Sequence, residues 1–303
     1  MSKMFMYASR AFVVALLMCF AVWGAGAVVS AQQPSGQNNP PKKKKLPPGA
    51  KGFEQFAGRD ASDKLVTGGA TRGECTTYEQ LIECAMGQAG STPPNLQAAI
   101  DFFTQAAKLK PEMFRPHYNL GQIYEEQGKY KEAVAAYKRA ITLKVDESMG
   151  EQPESILSAY YNLANVYAVT NQHEQAITTF QEVIRRLPKV ATTHYNVGLS
   201  QAALGKHRDA INSFNEAIKL KEDYSEAYYN LGVAHSKLEE YPQAVAAFKK
   251  ALEYNPEYAL ARYNLGVAYY MMDDAKALAG EVQALQKTQP ELAKELAKLN
   301  GGK

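Results

Sequence analysis

Between residues 114 and 271 apolar and polar positions alternate with a helical period. In the stretch opening at Phe114, positions 4, 7, 8 and 11 are His117, Leu120, Gly121 and Tyr124. In the stretch opening at Leu157 they are Tyr160, Leu163, Ala164 and Tyr167. An i, i+3, i+4, i+7 stripe is the buried face of an α-helix. A second helix follows each first one, carrying a small residue, an aromatic four positions on and, in most cases, another small residue three further: Ala133, Tyr137, Ala140; Ala176, Phe180, Val183; Ala210, Phe214, Ala217; Ala244, Phe248, Ala251. Gly128, Asn171 and Gly205 separate the two helices, residue types that accept the left-handed conformation at a helix end. Pro111, Pro188, Pro256 and Pro290 close the second helices.

One phrase keeps the period: Tyr118-Asn119-Leu120-Gly121, Tyr161-Asn162-Leu163-Ala164, Tyr195-Asn196-Val197-Gly198, Tyr229-Asn230-Leu231-Gly232 and Tyr263-Asn264-Leu265-Gly266. Three of the four steps are 34 residues and one is 43, an excess of nine that falls near Asp146 to Ser155 and includes Glu147, Glu151 and Glu154. A 34-residue helical period predicts a helix-turn-helix solenoid, which offers a long groove and not a catalytic pocket. The insertion maps to a loop, either tolerated length variation or a binding element.

These residues resemble the tetratricopeptide repeat family, whose pattern is an aromatic, Leu-Gly, Tyr, then Ala, Phe, Ala and Pro at these spacings. The resemblance implies an all-α, right-handed helix-turn-helix solenoid of about six tetratricopeptide (TPR) units with a C-terminal capping helix. The domain runs over 76–299, with repeats near 80–113, 114–147, 157–190, 191–224, 225–258 and 259–290 and a cap at 291–299. The first unit keeps Gly87, Ala99, Phe103, Ala106 and Pro111 but lacks the aromatic of its first helix. The sixth has Leu278, Val282 and Leu285 where the pattern has Ala, Phe and Ala. The amphipathic run from Pro290 to Leu299 would cover the otherwise exposed last repeat.

In this family the first-helix positions left free by the buried stripe line the concave groove. Position 6 is Asn119, Asn162, Asn196, Asn230 and Asn264. Asparagine inside a helix costs several tenths of a kcal/mol relative to alanine, so five copies need a reason. An amide supplies a donor and an acceptor, matching the N–H and C=O of an extended peptide. A comparable ladder in the repeat domain of the O-linked N-acetylglucosamine transferase family implies gripping of extended peptide; the rival reading is that asparagine only stabilises neighbouring helices. Arg115, Gln122 and Asn165 make the N-terminal part of this face polar, while Leu199, Val233, Val267 and Met271 make the C-terminal part apolar. A partner is therefore expected to set a hydrophobic anchor against Leu199, Val233 and Val267 while its backbone meets the asparagines. The lysine and arginine set that clamps C-terminal carboxylates in some relatives is missing, because position 5 is tyrosine and position 6 asparagine in five units.

Charge and the N-terminus place the groove in a cellular setting. Lys3 and Arg10, an apolar run from Ala11 to Trp23 and small residues ending at Ala31 read as a secretory signal peptide, 1–31; the alternative is an N-terminal membrane anchor. The formal charge is +3, and loss of the leader leaves about +1, which argues against nucleic-acid or general membrane binding. Residues 32–75 form a Pro/Lys-rich disordered linker in which Lys42 to Lys45 are either solvated or drawn to an anionic surface. The expected location is extracytoplasmic, periplasmic or secreted. There Cys75 and Cys84 are a candidate disulfide. A single helix from Thr76 to Cys84 would hold them about 13 Å apart, beyond the limit of about 7 Å for a bridge. Either the helix starts later or the thiols stay free.

No nucleophile elbow, zinc-binding helix motif or nucleotide fingerprint occurs, and the five histidines follow repeat register. The sequence thus predicts no enzyme, no catalytic residues, no metal and no cofactor. It predicts an exported protein-interaction scaffold for a protein or peptide, without nucleic acid and without a membrane span once the leader is removed. The alternatives are a structural subunit that oligomerises with its own copies, and a noncatalytic accessory module of a glycan-processing or secretion system.

Overall fold

The structure, a computed structural model, describes residues 75–145 and 155–300. The expected leader, the linker up to Cys75 and the insertion up to Ser155 lie outside the described residues. Two compact units divide the described chain, 75–209 and 210–300. The first holds α1 (Tyr78–Ala89), α2 (Leu96–Leu109), α3 (Phe114–Glu126), α4 (Tyr130–Ala140), α5 (Ser155–Val169), α6 (His173–Arg186), α7 (Ala191–Ala203) and the opening residues of α8 (His207–Leu220). The second holds the rest of α8, then α9 (Ser225–Lys237), α10 (Tyr241–Tyr254), α11 (Ala259–Met271), α12 (Ala275–Thr288) and α13 (Pro290–Asn300).

Successive helices pack in pairs, α1 with α2, α3 with α4, α5 with α6, α9 with α10 and α11 with α12. The pairing follows from the small residues at position 8. A Cβ on Gly121 would lie 2.5 Å from Tyr137 Cε1, and one on Gly232 would lie 2.6 Å from Phe248 Cε1, so each ring fills the space that glycine vacates. Tyr137, Phe180 and Phe103 are fully buried in the first unit, Phe214 and Phe248 in the second. Each such side chain contributes about 1.5–3 kcal/mol of transfer free energy. Five turns share a residue with positive φ at position 15: Gly128 at 72°, Asn171 at 61°, Gly205 at 75°, Glu239 at 59° and Asp273 at 58°. The last two are not residues that the sequence marks, and packing of the flanking helices holds them there against the left-handed penalty.

Two expectations at the N-terminal end are corrected. Gly87 is exposed, with open space where its Cβ would be, so it is not the crossing glycine of its unit. The buried stripe of α1 is Tyr78, Leu81, Ile82 and Ala85, and Ile82 takes the crossing position five residues earlier than Gly87. α1 runs seven residues past its crossing position where α3 runs five, and the connection 90–95 has six residues where later turns need three; together these absorb the difference. The helix also starts two residues later than Thr76, at Tyr78. Thr77, not Thr76, is the N-cap: its Oγ1 accepts the Gln80 amide at 3.2 Å, while Gln80 Oε1 accepts the backbone N–H groups of Thr76 and Thr77 at 3.1 Å each. Glu79 pairs with Lys110 at 2.8 Å. With the helix beginning at Tyr78, Cys75 sits in the non-helical lead, its Cα is 6.7 Å from that of Cys84, and the two are joined as a disulfide.

The last repeat is closed by α13, which packs on both α11 and α12. Where other second helices bring an aromatic to the crossing glycine, α12 has Val282, which is too short to fill the gap. Leu296 of α13 takes that place: its Cδ2 lies 2.5 Å from where a Gly266 Cβ would be, and the side chain is fully buried.

Candidate functional site

Three of the position-6 asparagines, Asn162, Asn196 and Asn264, are joined to the tyrosine of the repeat before. In the first unit Asn162 Nδ2 donates to the Tyr118 hydroxyl at 3.3 Å, and Asn196 Nδ2 donates to the Tyr161 hydroxyl at 3.0 Å and to Asn165 Oδ1 at 3.3 Å. Gln122, one turn on from Tyr118, donates its Nε2 to the same hydroxyl at 3.2 Å. Asn119, whose preceding helix has no tyrosine in register, points Nδ2 at the Met86 sulfur, 3.8 Å away. In the second unit Asn264 Nδ2 donates to the Tyr229 hydroxyl at 3.1 Å, and Asn230 Nδ2 donates to the backbone carbonyl of Glu226 at 2.9 Å. The tyrosine ring is held from its other side by the second helix of its own repeat. Tyr118 lies against Tyr137 with centroids 6.0 Å apart, Tyr161 against Phe180 at 5.6 Å and Tyr229 against Phe248 at 6.0 Å. Burial pushes the Tyr118 and Tyr229 hydroxyls up to about 12 and raises that of Tyr161, so all three stay protonated through the physiological range.

The expected groove residues fall into three groups. Arg115, Asn119, Asn162, Asn165, Asn196 and Leu199 of the first unit are half-buried, and Gln122 is exposed. Asn230, Val233 and Met271 of the second unit are half-buried, with Val233 and Met271 packed against its core. Asn264 and Val267 depart from expectation: their exposures are 2% and 1%, inside the cluster that contains Ala293 and Leu296 of α13. A surface closed in this way offers no anchor, so Val267 is core and Asn264 a structural amide. The tyrosine hydroxyls were missed as asparagine partners. Their signal was present, since tyrosine immediately precedes each asparagine and one repeat period brings that tyrosine beside the next asparagine.

Position 4 has a second recurring job. His194 Nε2 donates to the Pro188 carbonyl at 2.8 Å in the tautomer that protonates Nε2, and Arg262 Nη2 donates to the Pro256 carbonyl at 3.2 Å. Arg139 of α4 does the same for Pro111 at 3.1 Å. His194 and Arg262 fasten the proline turn that ends one repeat to the helix that follows, and Arg139 fastens the Pro111 turn to the second helix of the next repeat. Burial, followed by the charge of Arg139, lowers His117 below the ordinary histidine value. Tyr137 donates to Glu125 at 2.8 Å, and Glu125 is raised by burial despite that bond. Among the described residues no group of three or more His, Cys, Asp and Glu could hold a metal, and no helix is long and apolar enough to cross a membrane.

Known proteins agree with this geometry. Tetratricopeptide repeat family models match residues 112–189, 155–223 and 225–258. The crystal structure of YrrB, described as a TPR protein with an unusual peptide-binding site, is similar with a TM-score of 0.54 at 24% identity, covering 65% of this chain and 97% of that one. PilF of Pseudomonas aeruginosa is similar with a TM-score of 0.54 at 16% identity, over 73% of this chain and 96% of that one. A tetratricopeptide repeat protein of Parabacteroides merdae gives 0.55 at 19% identity, over 69% and 79%. The mouse (Mus musculus) protein O-mannosyl-transferase TMTC3 is 28% identical over 109 residues, 34% of this chain but 12% of that relative. The repeat phrase, the paired helices and these matches agree: the chain is a tetratricopeptide repeat protein, a helical repeat module of the protein-interaction class.

Proposed function

We propose that this chain is an exported scaffold that grips an extended peptide, or an extended segment of a partner protein, on the face carrying Asn119, Asn162 and Asn196. The observation that carries the reading is the state of these amides. Each is half-buried and oriented from behind, yet among the described residues no hydrogen bond takes the Oδ1 of Asn119, Asn162 or Asn196. Each oxygen keeps an acceptor site that a peptide N–H can fill, for a net gain of about 0.5–1.5 kcal/mol per bond. Leu199 stands half-buried on the same helix as Asn196 and supplies the apolar anchor. The peptide-binding YrrB supports the reading by analogy. Export is supported by the basic, apolar and small-residue order of residues 1–31 and by a disulfide of the kind that persists in oxidising compartments.

Crosslinking in native cells, compared between the natural chain and the Asn119→Ala, Asn162→Ala, Asn196→Ala variant, tests the groove. Loss of crosslinked partner with helicity retained is expected; unchanged capture by a folded variant refutes it. Recovery of a chain beginning at Gln32 from the cell envelope or medium tests export, and a full-length chain confined to the cytosol refutes it.

A further inference from the structure

We infer that the second unit carries a docking edge for lysine, and that its occupant is the chain's own lysine run, 42–45. The edge lies at two successive turns between repeats, 221–224 and 255–258, and at the helix ends beside them. Tyr228 of α9 and Tyr254, the last residue of α10, stack there with centroids 5.6 Å apart and planes inclined by 21°, both half-buried. Tyr254 donates its hydroxyl to Glu222 at 3.4 Å, and Lys250, paired with Glu253 at 2.9 Å, holds its ammonium 5.9 Å from the Tyr254 centroid. Lys221 sits in the same way 4.8 Å from the Tyr224 centroid. A tyrosine face attracts an ammonium through the ring quadrupole, so the chain's own lysines show what this surface accepts.

Those lysines do not saturate it. Residues 221–228 and 250–258 hold five carboxylates against two lysines, a net charge of −3. Among the described residues no cation forms an ion pair with Glu222, Asp223, Glu226 or Glu257. Segment 40–48, Pro-Pro-Lys-Lys-Lys-Lys-Leu-Pro-Pro, complements this edge with four positive charges and no acidic residue. Its flanking prolines fix φ and reduce the conformational entropy that an extended segment loses on docking. The 29 residues 46–74 that tie the run to Cys75 reach up to about 100 Å when extended, about three times the span of a small domain. Such a tether presents its segment at roughly millimolar effective concentration, which fills a contact of about 0.25 mM Kd to about four-fifths. Docked lysines are withheld from any other anionic surface that the chain meets.

Trypsin cuts after lysine, so docking is read as protection. The full chain and a free 32–60 peptide are digested at low salt and micromolar concentration, and cleavage within 42–45 is timed by mass spectrometry. Cleavage in the chain is expected to be about fivefold slower, the reciprocal of an undocked fraction of about one-fifth. Glu222→Gln, Asp223→Asn, Glu257→Gln together should bring the rate to that of the free peptide. Glu239→Gln with Asp273→Asn, at the turns inside the repeats, should leave the protection intact. Tyr254→Leu removes the ring face, and the protection should fall to about twofold. Cleavage of the natural chain at the peptide rate overturns the inference. Equal loss of protection in the two charge variants overturns it as well, because net charge and not this edge would then be responsible. Protection that rises with chain concentration assigns the edge to the lysines of a second copy and overturns docking within one chain. The first comparison needs no variant, so a variant that fails to fold leaves it decisive.

Discussion

Two glycines in this chain give the same substitution opposite signs. Gly121→Ala places a methyl group 2.5, 2.6 and 3.0 Å from three ring atoms of Tyr137, about 0.5–1 Å inside the lower end of the usual carbon–carbon separation. The ring cannot swing aside: it is fully buried, Tyr118 lies 6.0 Å from its centroid, and its hydroxyl is held by Glu125 at 2.8 Å. Relief must come from moving α3 away from α4, an overpacking cost of about 1–3 kcal/mol. Alanine returns about 1 kcal/mol through helix propensity, leaving a net loss of up to about 2 kcal/mol. Gly87→Ala meets nothing within 4 Å in an exposed stretch of α1, so only the propensity gain remains, about 1 kcal/mol of stabilisation. Ala164 takes the same position in the repeat whose second helix carries Phe180, so a methyl group can be accommodated at such a crossing, and Tyr137→Phe frees the Tyr137 ring from its bond to Glu125. Gly121→Ala combined with Tyr137→Phe is therefore expected to recover part of the loss. Repeat arrays unfold piecewise, so hydrogen exchange of α3 and α4 is the assay, with urea denaturation beside it. A Gly121→Ala chain as stable as Gly87→Ala would refute the reasoning.

Leu296→Ala removes the side chain that fills the Gly266 gap and should cost about 3 kcal/mol, read as faster hydrogen exchange in α11 to α13. Replacing Cys75 and Cys84 by alanine opens a short loop and should lower the local stability of α1 by about 2–3 kcal/mol, with reductant reproducing the effect on the natural chain. Burial raises the Glu125 carboxyl above its ordinary value of 4.5, so its contribution is best below the unfolded value and is lost as pH rises through the folded one. Glu125→Gln keeps an acceptor for Tyr137 and should stabilise the chain at neutral pH, with the gain vanishing near pH 4.5 in denaturation curves; equal gain at both pH values would contradict this.

The period revealed the helices, the crossing glycines and the aromatic that faces each one, because these contacts repeat at fixed separation along the chain. What it concealed are departures from the period. In α1 the two helices of the unit keep their own stripes, but the connection between them is longer, so extrapolating the pitch back from Pro111 lands on Gly87 instead of Ile82. At the other end Val282 breaks the aromatic pattern, and only the three-dimensional position of α13 explains how Val267 and Asn264 become buried. The asparagines were legible as a ladder, while the choice between ligand contact and helix bracing was not. The two readings share the amide: its nitrogen braces, and its oxygen is left over.

That division has a mechanical side. In the first unit the bonds that aim each asparagine are also the bonds that stitch one repeat's inner helix to the next, from Tyr118 to Asn162 and from Tyr161 to Asn196. Under the proposed function, recognition and compliance are set by the same atoms. A mutation chosen to alter what the surface accepts will also change how easily neighbouring repeats yield to a load, and a segment drawn tight across those oxygens stiffens the joints it spans.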